Sequence, residues 1–356
     1  MALALTKRCE FIKQFHAQND TSNIVCFPFW ELVAAAGCPY RCSYCFLQAT
    51  PSYVFRHYPL SGAVFTNWAD MLEEVDRWLK HPIARVLVVG ELQDGLAFEG
   101  AYRRLAGRSL AEMLIPRFAA QEKHVLLFLT KSTGTRFAER LASSPQSIFS
   151  WSVNTDYAAR RWEKGAPSPA RRFLAAERMQ NLGWRIRFRL DPMIPYSGWQ
   201  NDYARTINQV NALHPEMVTI GALRASNTLR AHARRNGRDD SIFDFLKEKD
   251  PSGFKWRVPF EEQIKMFRFA IERLDPAIRV ALCKEDASVW QSVGLVFKGC
   301  HCLMATNECL IRDQGRIEKG TFLRLTAGQP DFMMECTEGN AENEMRHGHI
   351  SRRLRG

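Results

Sequence analysis

The sequence predicts an α/β protein, a partial (β/α)6-type TIM barrel with an open side and a small C-terminal extension. Three observations carry this. Short β-rich runs at residues 24–30, 85–89, 125–130, 148–154, 185–190, 217–223 and 279–283 alternate with amphipathic segments. Segments 68–79, 170–182 and 261–274 have helical apolar spacing and lie between runs, as right-handed crossovers of a parallel sheet require. The residues just after each run are polar and specific, and in such a barrel the C-terminal strand ends form the active face. The boundaries that follow are an N-terminal extension at 1–22, the barrel at 23–295 with a hairpin near 251–259, and a cysteine-containing extension at 296–356. With 356 residues, 46% of them hydrophobic and 24% charged, the chain has globular composition and suits one main core.

The formal net charge of +11 favours a polyanionic partner, because neutralising phosphates releases condensed counterions. No stretch approaches the roughly 18 apolar residues of a membrane span. The opening Met1-Ala-Leu-Ala-Leu is too short for a signal peptide, so a cytoplasmic protein without a membrane partner is expected. Ten cysteines in a reducing compartment point to metal or redox chemistry rather than structural disulfides.

Taken in order, run one leads to Cys38, Cys42 and Cys45, run two to Gly90, Glu91 and Asp94, and run three to Lys131 and Ser132. Run four carries Ser152 and Asn154, run five ends at Asp191-Pro192, run six meets Arg224 and run seven ends at Cys283. Three thiolates spaced CxxxCxxC bind three irons of a [4Fe–4S] cube and leave the fourth iron open to a substrate or cofactor. Electron-transfer clusters use four cysteines and structural zinc needs four ligands. A zinc knuckle completed by a distant Cys or His is the competing account.

The triad, with Tyr44 just before its third cysteine, resembles the defining motif of the radical S-adenosylmethionine superfamily. Within it the chain is similar to the spore photoproduct lyase family over roughly residues 23–295, most characteristically in the run Asp191-Pro-Met-Ile-Pro-Tyr-Ser-Gly-Trp199. The resemblance implies a [4Fe–4S] cluster on Cys38, Cys42 and Cys45, S-adenosyl-L-methionine as cofactor, and an external one-electron reductant such as flavodoxin or ferredoxin. It also implies cofactor contacts at Tyr44, Gly90, Glu91, Lys131, Ser152 and Asn154. An ammonium suits a carboxylate and a hydroxyl suits a ribose or carboxylate oxygen, so the chemistry of Lys131 and Ser152 agrees.

The chain also departs from that family. Aligning the segment that carries the lyase's hydrogen-donor cysteine on Glu91-Leu-Gln-Asp94 puts Glu91 where the thiol should be, and Phe46 replaces a second phenol beside the triad. A carboxylate and a phenyl ring cannot stand in as hydrogen-atom donors. The expectation is therefore an isomerase-like rearrangement of a thymine or hypermodified thymine in DNA, with Tyr44, Glu91 and Cys283 as candidate catalytic residues. Cys283 is a candidate substitute donor or simply a buried thiol. Dimer repair with an altered hydrogen relay, a DNA-binding protein with a structural cluster, and a radical enzyme for a peptide or small molecule are the alternatives.

Two basic clusters suggest a phosphate track: Arg224, Arg230, Arg234, Arg235 and Arg238 in one, and Arg160, Arg161, Lys164, Arg171 and Arg172 in the other. Near residues 251–259, Phe254 or Trp256 would stack on bases while Lys255 and Arg257 hold phosphates, with a plain surface hairpin as the competing account. Cys300, Cys302 and Cys309, with His301 and Cys336 nearby, are candidates for a second metal site, unligated thiols being the alternative.

Overall fold

The computed structural model describes residues 3–15, 24–25, 29–49, 62–251 and 253–295. Its centre is an eight-stranded sheet of β1 (Ile12–Phe15), β2 (Phe29–Leu32), β3 (Val86–Val89), β4 (Val125–Thr130), β5 (Ser147–Ser152), β6 (Arg185–Met193), β7 (Met217–Ala222) and β8 (Arg279–Leu282). Spatial order follows chain order, and β2 to β8 are parallel while β1 pairs antiparallel with β2. Seven parallel strands answer to the seven runs, one more than the six of a (β/α)6-type barrel. The first run is also displaced: the strand is Phe29–Leu32, whereas Ile24 forms an isolated bridge to Asp286. β3 and β4 read as continuous apolar runs because helices cover one face and the interior the other.

The crossovers carry α1 (Trp68–Trp78), α2 (Glu99–Ala106), α3 (Leu110–Ala119), α4 (Asp156–Trp162), α5 (Pro169–Asn181), α6 (Trp199–Leu213), α7 (Leu229–Arg235) and α8 (Phe260–Arg273), with α9 (Ala287–Ser292) after β8. Local chemistry sets their ends. Ser109 and Glu112 form a reciprocal capping box on α3, and Ser168 caps α5 just before Pro169 at its first turn. α1 buries Met71, Val75 and Trp78, spaced to face the sheet. Phe128 and Phe149 stack at 5.1 Å between the sheet and these helices. Each such fully buried side chain contributes about 1.5–3 kcal/mol relative to exposure.

Consecutive parallel strands with crossovers of one hand place their helices on the same face, so the sheet curls around the other. The curl is visible at the C-terminal strand ends. β3 and β8 are five strand spacings apart, about 24 Å in a flat sheet. Yet Lys284, just after β8, hydrogen-bonds Glu91, just after β3. The Val25 amide also reaches the Glu285 carbonyl at 3.0 Å. Among the described residues β8 pairs only with β7, so the sheet is curled and open.

Two smaller sheets frame this rim. Leu3–Leu5 pairs with Ala63–Phe65, which also pairs with Ala35–Ala36 beside the triad loop. Arg224–Ser226, Lys255–Arg257 and Glu248–Lys249 form a three-stranded antiparallel flap beyond β7. Among the described residues no helix is long and apolar enough to cross a membrane.

Candidate active site

The triad loop leaves the region of β2 and is held from three sides. Arg41–Cys42 pairs antiparallel with Glu163–Lys164, and the Ser43 amide donates to the Trp162 carbonyl at 2.8 Å. Beneath the loop Glu163 is buried, accepting from the Tyr44 hydroxyl and from Arg172 Nη2 at 2.5 Å. Arg172 is fully buried and also donates to the carbonyls of Ser152 at 2.9 Å and Pro167 at 2.8 Å. Burial pushes the Glu163 carboxyl up, but the Arg172 guanidinium and Lys131 ammonium outweigh it and hold it below the ordinary carboxylate value. Burial raises the Tyr44 phenol well above its usual range. Tyr44 is thus a neutral donor fixed on an ionised acid.

Cys38, Cys42 and Cys45 are free thiols. Burial raises all three, Cys42 to about 12, so they keep their protons until a metal draws them off. Among the described residues no three Cys, His, Asp or Glu side chains converge on one metal ion. A cubane takes each thiolate at a different iron, and three cysteines on one loop supply that donor set. The Nε of Arg238, whose Nη1 donates to the Cys42 carbonyl at 2.7 Å, is buried without an acceptor, which also fits an anionic group at this loop.

Beside the triad, Lys131 Nζ lies 5.6 Å from the centre of the Tyr44 ring and donates to Ser152 Oγ at 2.8 Å. Ser152 Oγ donates in turn to the Asp191 carbonyl at 3.2 Å. These predicted cofactor contacts therefore meet on one patch at the ends of β4, β5 and β6. Asn154 faces elsewhere: its amide donates to the Pro192 carbonyl at 2.9 Å and its oxygen accepts from Tyr203 at 2.8 Å, so it braces β6. Gly90 has φ 138°, and a Cβ there would lie 2.3 Å from the Leu129 carbonyl oxygen. Only glycine lets the chain cross the end of β4 so closely. Asp94 then ties the crossing down, accepting from Thr130 Oγ1 at 2.6 Å and the Lys131 amide at 2.7 Å.

Across the rim Glu91 and Lys284 form a half-buried ion pair. Burial pushes Glu91 up and Lys284 down, but each partner's charge prevails, leaving Glu91 lowered and Lys284 raised. Cys283 is buried next to it and accepts from Arg189 Nη2 at 3.0 Å, which also bonds Asp191 at 2.9 Å. Burial and Asp191 raise the Cys283 thiol, so it stays protonated. Glu31 lies beneath, accepting from the Leu92 amide at 2.6 Å. Burial and the Glu91 charge raise its carboxyl to about 8 from 4.5. The folded state then binds a proton that the unfolded chain releases, so stability falls as pH rises from 4.5 to about 8. In Glu31→Gln the slope of urea-unfolding stability against pH is expected to flatten across that window, by up to about 1.4 kcal/mol per pH unit. Slopes identical to the parent's would contradict this assignment.

The proposed phosphate track is largely neutralised. Arg224 points inward to the carbonyls of Cys283 and Lys284, with Glu285 at 3.6 Å. Arg230 and Arg234 both bond Asp240 and Arg161 bonds Asp239, acids that lie just past the basic run. In the flap, strand alternation turns Lys255 and Arg257 to one side, where they line a cleft of about 40 Å³ with Arg224, Lys284 and Glu285. Trp256 points to the other side with Lys249 Nζ 4.3 Å from its ring centre, and it and Phe254 are exposed. Cys300, Cys302 and Cys309 lie outside the described residues, as do His301 and Cys336.

A cysteine triad on the loop after the first parallel strand, facing a curled and open α/β sheet, defines a class: the radical S-adenosylmethionine enzymes. The family described as spore photoproduct lyase matches residues 26–223, and the chain belongs to that family. Spore photoproduct lyase of Bacillus subtilis (strain 168) is 22% identical over 189 residues, 52% of this chain and 51% of the relative. The chain thus spans about half the length of that curated relative. A solved spore photoproduct lyase complexed with dinucleoside spore photoproduct superposes with TM-score 0.61 at 18% identity, covering 79% of this chain and 82% of that one. A mutant form with bound AdoMet and the same dinucleoside gives 0.59 at 18% identity over 78% and 80%. At these identities the solved structures speak for the fold.

Proposed function

We propose that this chain is a radical enzyme that takes hydrogen from a thymine-derived base in DNA and rearranges it, working inside a sheet that amounts to an open barrel. Cys38, Cys42 and Cys45 hold the [4Fe–4S] cluster, and Lys131 and Ser152 bind S-adenosyl-L-methionine through its carboxylate and hydroxyl oxygens. When bound and reduced by an external one-electron donor such as flavodoxin or ferredoxin, the pair supplies a 5′-deoxyadenosyl radical. The relatives' substrate, a spore photoproduct dinucleoside, supports a thymine-derived target. The residues of this chain do the rest. Tyr44, pinned by Glu163, sets the wall beneath Lys131. Phe254 and Trp256 present exposed rings to stack on bases.

The observation that carries the rearrangement is the Glu91–Lys284 pair. The position aligned with the lyase's hydrogen donor holds the Glu91 carboxylate, and its partner Lys284 has only strong N–H bonds, which do not replace a thiol as hydrogen-atom donor. A second reading, dimer repair, is favoured by one observation: Cys283 is brought to the same rim as a protonated thiol. Mass spectrometry of DNA nucleosides after turnover with C5′-deuterated cofactor separates the two. Rearrangement predicts deuterium passed from the cofactor to the product, in the parent and in Cys283→Ala alike. Repair through Cys283 predicts a product hydrogen drawn from solvent and lost activity in Cys283→Ala.

A further inference from the structure

The chain turns back at the end of α7, where the Gly237 amide donates to the Arg234 carbonyl at 3.0 Å and the Arg238 amide to the Ala233 carbonyl at 2.9 Å. Gly237 has φ 61°, the left-handed conformation such a turn requires. The turn is fastened to the triad loop: Arg41 donates to the Asn236 carbonyl at 3.2 Å and Asn236 to Gln48 Oε1 at 3.3 Å. Arg238 is thereby carried out of the basic run and into the protein, where it is 9% exposed. Its guanidinium donates to the Cys42 carbonyl at 2.7 Å, and its Nε is buried with no acceptor. A buried N–H left unpaired is costly, so this arrangement suits an acceptor that arrives with the ligand of the loop.

We infer that Arg238 is a positioning residue for the iron–sulfur cluster, its guanidinium donating to sulfur on the Cys42 side and making the cluster easier to reduce. The inference rests on the triad holding a [4Fe–4S] cluster. Reduction adds one negative charge, and a fixed cationic donor at the sulfurs stabilises the reduced form more than the oxidised one. Hydrogen bonding to sulfur and local charge are the protein's means of setting the potential at which the external donor can deliver its electron.

The test is a redox titration of the full chain, reconstituted with iron and sulfide and followed by electron paramagnetic resonance. Arg238→Met is expected to lower the reduced-to-oxidised ratio at a fixed potential about tenfold, a shift of about 59 mV to more negative values. Arg238→Lys, which keeps the charge but loses the planar fork, should recover part of it. A loaded Arg238→Met protein with the parent's potential overturns the inference. If that variant does not load, Arg238→Gln with the parent's potential overturns it instead. A parent chain that takes up no iron and sulfide fails the cluster assignment itself, which is a different result from a loaded cluster of unchanged potential.

Discussion

Cys42→Ala protein, reconstituted anaerobically with iron and sulfide, is expected to hold no four-iron cluster while keeping the parent's fold. Cys42 is the most buried of the three thiols, and its backbone is the part of the loop paired to Glu163 and held by Arg238. Those bonds are made by main-chain atoms and survive the substitution. A free cysteine packs as a small hydrophobe, so alanine removes a ligand and little else. Iron and acid-labile sulfide should therefore fall from about four each in the parent to substoichiometric amounts, with far-ultraviolet circular dichroism unchanged. A variant that loads as the parent does would remove the triad from the account.

Arg172→Met is expected to destabilise the chain by about 3–5 kcal/mol, because it strands the ionised Glu163 in the interior. The pair is almost wholly excluded from water, with side-chain exposures of 0% and 2%, so solvent screening does not soften the loss. A typical domain has a stability of only about 5–15 kcal/mol, which makes this the largest single effect expected outside the triad. The substitution also frees the carbonyls of Ser152 and Pro167 and loosens the seat of Tyr44. Urea unfolding measures it, and the double variant Arg172→Met with Glu163→Leu should recover part of the loss by removing the stranded charge. The pH dependence has a definite sign. The folded carboxyl lies below its ordinary 4.5, so the stability this pair contributes is present above that value and is lost as pH falls through the folded value. A single variant within about 1 kcal/mol of the parent, the size of an exposed pair, would show that the network carries little.

The strand runs and the triad's motif were legible because both are local patterns: a run of apolar residues announces a buried strand, and CxxxCxxC lies within eight residues. Lys131 and Ser152 were legible as ends of successive strands, and they meet. What escaped is what depends on pairing distant segments. Arg172 read as part of a basic cluster on a phosphate track and Glu163 drew no notice, yet the antiparallel pairing of Glu163 with Cys42 buries both beneath the triad. Lys284 follows Cys283 at the end of run seven without drawing notice itself, and only the curl of the sheet carries it to Glu91. The arginines of α7 looked free because the run itself holds no acid, whereas Asp239 and Asp240 just beyond fold back on the clusters. Asn154 lies just past a strand end as a cofactor contact would, but its amide is held by the Pro192 carbonyl and the Tyr203 hydroxyl.

The most direct measurement is 5′-deoxyadenosine formed by the reconstituted chain with S-adenosyl-L-methionine and dithionite, with Cys42→Ala alongside. A radical-generating cluster on the triad predicts 5′-deoxyadenosine and methionine from the parent and none from the variant. A parent that carries four irons and four sulfides yet leaves the cofactor intact, or a variant that cleaves it equally, would contradict it.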